Sequence, residues 1–367
     1  MIIFLGCSSL KIRDIPENLS PLNSPYLTSQ MNYQRNAVAP EELEPPLIPA
    51  WEESYISLPN RGFTVINDWL LFGTNNGNLI VANIENGSVK GKENLGDSCP
   101  VPPTVYHNIL YLTFEAGKYG LIAYDVKTGD VLWRVRDNLS RSSPIVVENK
   151  VCFQTLMGKV LCFNYFTGEQ IWSKTIPSHI RNSPAYSENL IITAALNGLV
   201  VAHEYTSGIT IWEKNLEVPI MADPVIDGNN LYIATHSGSV FMLNLHFGQV
   251  IQQSDLRIPI YYSISVDEST VYVPLSNGNL IALDKINLRK KWSFQGKGPI
   301  ADAPLVTQSY IYLTTLEKHL YIIEKLAGHV LQDIKIEGRA RSTPIIKNNK
   351  LIIACENDRI IAYGKQN

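Results

Sequence analysis

Asp223 and Asp302 stand at comparable places, each close before the proline of a recurring segment. Paired carboxylates begin an oxygen-donor cage for a hard cation such as Ca²⁺. Two are too few to complete it, and a short acidic side chain beside a turn commonly accepts that turn's N–H groups. The expectation for both is turn capping. The seven histidines, His107, His179, His203, His236, His246, His319 and His329, show no H-E-x-x-H or Cys/His metal spacing. No G-x-S-x-G elbow, G-x-G-x-x-G or P-loop occurs. Neither a catalytic site, a cofactor site nor a metal site is therefore expected. Of the five cysteines, Cys7, Cys99, Cys152, Cys162 and Cys355, no two are adjacent. Cys152 and Cys162 face each other across one hairpin. A bond would suit an exporting compartment, but cross-strand geometry is demanding, and two buried thiols are expected.

What must position these residues is a repeat. Phe63, Pro103, Pro144, Pro184, Pro224, Ile264, Pro304 and Pro344 mark eight starts at intervals of forty or forty-one residues. Gly158, Gly198, Gly238 and Gly278 form a second column, continued by Lys318 and Asp358. Gly129, Gly168, Gly208, Gly248 and Gly328 form a third, and Trp133, Trp172, Trp212 and Trp292 a fourth. Within one unit, "NLYIATHSGSVFMLNL" (230–245) is two apolar runs about a Gly-containing turn, the mark of a β-hairpin. Each unit reads as a four-stranded antiparallel sheet, too small to bury both faces by itself. Radial stacking of eight such sheets gives an all-β, eight-bladed β-propeller.

The last unit has room for only three strands before Asn367. Trp51 lies twelve residues before Phe63, as far as other tryptophans lie before the next start. "WEESYISL" (51–58) is therefore expected to close the last blade, giving a propeller over 51–367 and removing an open sheet edge. The tryptophans are expected to pack between blades and donate one hydrogen bond each. Residues 8–50, rich in Pro, Asn and Ser, read as an extended tether. Residues 1–7 end an apolar run at Leu5-Gly6-Cys7, which resembles a bacterial lipoprotein cleavage site, with Cys7 as the lipidated residue and 1–7 a signal remnant. The net charge of −3 argues against a general nucleic-acid binder. No run reaches the ~18–20 apolar residues of a membrane-spanning helix, so any membrane contact is expected through a lipid anchor alone.

"GLIAYDVKTGDVLW" (120–133) and "GKVLCFNYFTGEQIW" (158–172) resemble the repeat of the pyrroloquinoline-quinone-like propellers. In overall plan the chain is most similar to the BamB-type lipoproteins of the outer-membrane barrel-assembly machinery. That resemblance implies a non-catalytic scaffold at the outer membrane, facing the periplasm, whose partner is the periplasmic part of a barrel-assembly protein. It also implies a binding loop at 176–184, where Ile180 and Arg181 match an apolar-plus-Arg pattern and His179 departs from it. From the residues themselves, the variable loops before each start carry Arg141, Arg181, Tyr261 and Arg341, with Tyr262 and Arg339 beside them. Arg and Tyr are common interface anchors. The other readings are an adhesin or regulatory propeller with another partner, and a quinone-dependent dehydrogenase.

Overall fold

The computed structural model describes residues 10–12, 19–22, 24–55, 57, 59 and 61–366. Cys7, and with it the lipidation reading, lies outside them. The strands form eight four-stranded antiparallel sheets. Blades one to seven span 64–94, 104–136, 145–175, 185–215, 225–255, 265–295 and 305–335. Blade eight takes three strands from 345–365 and its outermost from Leu47–Ser54, which pairs with Arg359–Lys365. The chain thus closes its own ring as expected, with a closing strand that begins at Leu47 rather than at Trp51. None of the described residues forms a helix long and apolar enough to cross a membrane.

The middle strands are buried on both faces, as in Leu190–Ala194, while the outermost strands alternate, as in Gln170–Thr175. This follows from the stacking, which covers a blade's interior and leaves its rim wet. Lys318 and Asp358, which replace glycine in the second column, keep the left-handed backbone at φ +66° and +60°. The turn geometry is therefore held by its hairpin and not by glycine alone.

Five of the six tryptophans tie one blade to the next; Trp69, in the second strand of blade one, stands outside the column. Trp172 and Trp212 donate their indole N–H to the carbonyls of Tyr205 and Leu245 at 3.0 and 2.8 Å. Trp51, Trp133 and Trp292 make the same bond. The ring lies over the third-column glycine of the following blade. A Cβ on Gly248 would meet Trp212 Cε3 at 2.5 Å, and one on Gly328 would meet Trp292 Cε3 at 2.6 Å. Blade five has Gln252 in place of the tryptophan, and there the following blade has Leu288 in place of the glycine, still at φ +53°. At this pair the two positions change together, as competition for one volume requires, although blade two keeps Gly129 where blade one has Gly91 at the tryptophan place.

Residues 19–47 are not a tether. Tyr26, Leu27, Met31, Tyr33, Ala37, Ala39, Leu43 and Leu47 are all buried. The segment runs across one end of the central channel and touches the innermost strand of every blade. The N–H groups of Val65, Val105, Tyr186, Ile226, Val266 and Val306 donate to the carbonyls of Tyr26, Leu27, Tyr33, Gln34, Asn36 and Ala37. Tyr33 Oη donates to Val146 O at 2.9 Å, and Tyr26 Oη to Ile346 O at 2.5 Å. The cause is a need the sheets cannot meet: each innermost strand has one unpaired edge facing the axis. Arg35, wholly buried, pins this plug. Its guanidinium donates to the carbonyls of Pro184, Ser143 and Ser29 and to Thr28 Oγ1, at 2.7–3.2 Å.

Cys152 and Cys162 sit directly opposite in register and are joined by a disulfide, where two thiols were expected. Cys99 and Cys355 are free and buried.

Two changes test these contacts. Arg35→Leu strands two buried carbonyls and a part-buried one and should cost about 3 kcal/mol or more in urea unfolding. Gly248→Leu should cost about 2 kcal/mol or more through strain and collision with Trp212. Adding Trp212→Gln should restore much of that loss, and additive effects in the double-mutant cycle would refute the shared-volume account.

Candidate functional site: a blind axial funnel

The innermost strands all run in the same sense, from the inter-blade loops toward the plug. The plug closes the channel at their far end, so the near end opens as a funnel. Its floor is Tyr26 and Thr28–Met31 of the plug, and its walls come from residues just before each blade's first strand.

Those residues form a chain of bonds from blade to blade. Ser143 N–H donates to Ser183 Oγ, Ser183 N–H to Asp223 Oδ1, and Asp223 N–H to Ser263 Oγ, at 2.8–3.0 Å. Asp302 accepts from Ala303 N–H at 2.8 Å and from Thr343 N–H of the next blade at 3.2 Å. Asp302 caps its own turn through Ala303 N–H, as expected, whereas Asp223 accepts from the preceding blade's loop; each carboxylate couples neighbouring blades. Both also face the cavity. Burial raises the pKa of each, for Asp302 to about 6, where the charge of Arg61 and the N–H bonds from Ala303 and Thr343 oppose the rise; for Asp223 the charge of Arg35 opposes it first. Tyr262 is pushed up too, by burial first and then by the Asp302 charge.

Around the mouth stand Arg61, Arg141, Arg181 and Arg341. Arg141 is paired with Glu115. Tyr261 is exposed and lies 5.0 Å from the His236 ring, centroid to centroid, and with Tyr262 it lines the deeper cavity. Of the expected contact residues, the structure therefore gathers Arg141, Arg181, Tyr261, Tyr262 and Arg341 around one opening.

His179 and Arg339 lie on the same face but outside the funnel lining. Their side chains are exposed, and their carbonyls accept from Leu196 N–H and Glu356 N–H of the next blade. Ile180 corrects the expectation of an exposed apolar anchor, because it is only 2% exposed and packs with Trp172 and Ile176. The signal was in the repeat: Ile180, Ile220, Ile260 and Ile300 recur every forty residues, and all are buried. Arg61 went unnoticed because it lies two residues before its start, Phe63, and not three.

The fold and funnel define an eight-bladed propeller of the pyrroloquinoline-quinone-like class. The chain belongs to the family described as outer membrane protein assembly factor BamB, whose profile matches residues 44–191, 143–257 and 196–367. No curated protein sequence matches. Among solved structures, BamB from Moraxella catarrhalis is similar at a TM-score of 0.74 and 16% identity, over 88% of this chain and 98% of that one. The quinohemoprotein alcohol dehydrogenase ADHIIG of Pseudomonas putida HK5 is similar at 0.79 and 13%, over 96% and 83%. The computationally designed Ika8 protein is similar at 0.75 and 13%, over 86% and 99%. Likeness at such identities establishes the fold alone.

A calcium-bound quinone, which the dehydrogenase branch of the fold would imply, does not fit the residues at this axis. Asp223 and Asp302 are already engaged by backbone N–H groups, and among the described residues no three His, Cys, Asp or Glu come together as metal ligands.

Asp302 makes stability depend on pH. Its carboxyl holds a proton more tightly in the folded protein, at about 6, than at its ordinary 3.8. Its contribution is therefore fully present below pH 3.8 and is lost as pH rises through 6. The difference corresponds to roughly 3 kcal/mol, of which cavity water screens a part. Asp302→Asn should flatten the dependence of unfolding free energy on pH between 4 and 7 by about 1–3 kcal/mol. An unchanged slope in denaturation series at several pH values would refute this.

Proposed function

We propose that this protein is a non-catalytic binding scaffold, a BamB-like lipoprotein that assists assembly of outer-membrane β-barrels. Family membership across residues 44–367 carries the reading. The distribution of residue types supports it. Positions that recur every forty residues serve packing: the tryptophans, the column glycines and the buried isoleucines. Positions that differ between blades cluster on one face, as arginines and tyrosines around the funnel. Such a face suits recognition of a protein surface of opposite charge.

On this reading the partner is a periplasmic portion of a barrel-assembly protein, and Arg141, Arg181, Tyr261, Tyr262, Arg339 and Arg341 supply contacts, with His179 at the margin. Cys7 carries the lipid that holds the chain at the outer membrane, facing the periplasm.

The test is a tagged pull-down from gently solubilised native membranes, with mass spectrometry of the bound proteins. A barrel-assembly protein should be recovered with the unaltered chain. Arg181→Glu should reduce that recovery at least about tenfold, since reversing a contact charge adds repulsion to the lost attraction. Recovery without any barrel-assembly protein, or undiminished by the change, would sink the proposal.

A further inference from the structure

The funnel mouth carries an imbalance of charge. Arg61, Arg141, Arg181 and Arg341 line one recess of about 100 Å³, with Glu115 as its one carboxylate. That carboxylate is already paired with Arg141. Among the described residues, no acidic side chain lies within ion-pair distance of Arg61, Arg181 or Arg341. Several surface lysines on this protein are matched: Lys347 with Glu41, Lys350 with Glu85, Lys365 with Glu44.

Asp223 and Asp302 lie deeper, in the adjoining chamber above the plug. Their charge reaches Arg61 but does not close on it as an ion pair. The two carboxylates thus lie on the chamber side of the arginines, and Arg61, Arg141 and Arg181 border both spaces. Four guanidinium groups from four separate blades converge on a space that holds several waters or one phosphate-sized group. The loops that carry Arg141, Arg181 and Arg341 are bonded through their backbones to neighbouring blades, so these side chains start from fixed points around one opening. In a recess, solvent screens their repulsion less than on an open surface.

We propose that this mouth is a binding site for a small oxyanion, a phosphate-type group gripped between Arg61, Arg181 and Arg341. The planar fork of arginine matches an oxyanion edge with two parallel N–H donors, which a set of lysines would not. Arg141, held by Glu115, forms the fixed side of the recess. The site does not depend on the scaffold reading and would exist whatever protein the surrounding face binds. Its ligand is either free inorganic phosphate or the phosphomonoester end of a soluble molecule.

The full chain tests this by isothermal titration calorimetry with inorganic phosphate and with glycerol 3-phosphate, against sodium chloride at matched ionic strength. One saturable site is expected, weakened at least about tenfold in Arg61→Gln/Arg341→Gln and unchanged in Arg289→Gln, a charge removed elsewhere. Stronger binding of glycerol 3-phosphate points to the monoester source, and equal or weaker binding to the free anion. A second readout separates a binding role from a structural one. Without any oxyanion, Arg341→Gln should melt no lower than the unaltered chain, because it relieves repulsion. Phosphate should raise the melting temperature of the unaltered chain more than that of the variant. Heats equal to those of chloride, no saturation, or binding undiminished in the double variant would each overturn the proposal.

Discussion

Eight innermost strands converge on the axis of this ring, and each has one edge with no neighbouring strand. Unpaired backbone groups in a narrow channel are costly, so the ring needs something other than its sheets to satisfy them. Two devices do so. The residues before each first strand bond from blade to blade, as Ser183 does to Asp223 and Asp302 to Thr343. The N-terminal segment lies across the other ends of the same strands and accepts their N–H groups one blade after another. Arg35 joins the two, since it belongs to the plug and donates to Ser143 and Pro184 in the ring.

The binding geometry follows from that solution. A plugged channel is a funnel with one mouth, and whatever the inter-blade loops present is concentrated there. Those loops are themselves stapled to the next blade: carbonyls at Leu139, His179, Pro219, Pro259, Pro299 and Arg339 accept N–H bonds from the adjoining hairpin turns. The backbone is therefore fixed while the side chains remain free to vary. Loops fixed in this way place Arg141, Arg181 and Arg341 without the backbone ordering cost that a flexible loop would bring to binding.

The period, the blade and the closing strand were legible because each is written in local pattern: apolar runs, turn glycines, a tryptophan at a fixed offset. The plug was not. Its apolar residues, Tyr26, Leu27, Met31 and Tyr33, follow neither a helical nor a strand period, because they are spaced to meet successive blades and not to form an element of their own. Its partners lie far away in sequence, as Tyr33 and Val146 do. A segment rich in Pro and Asn with no period reads as a tether when its partners are invisible. Cys152 and Cys162 were placed opposite each other by the hairpin, but whether they bond depends on side-chain geometry that spacing does not encode. At the site, Arg141, Arg181 and Arg341 were found as deviations from a column, whereas Arg61 sits where the first repeat shifts the column by one residue.

Ile180 shows how a repeat should be searched for function. An isoleucine beside an arginine in an exposed loop looks like an interface anchor. The same position is Ile220, Ile260 and Ile300 in other blades, and a residue that every blade shares is answering to the ring rather than to a partner. The converse argument applies to the tryptophans. Gln252 and Leu288 depart from their columns as a pair, so their difference also answers to packing and marks no site. What remains after both kinds of change are removed is the set of side chains that differ singly and face solvent. On this protein the arginines and tyrosines of that set gather at the funnel mouth. Chains as different as a BamB and an alcohol dehydrogenase share the ring, so what separates one such protein from another must be sought in those singly varying residues.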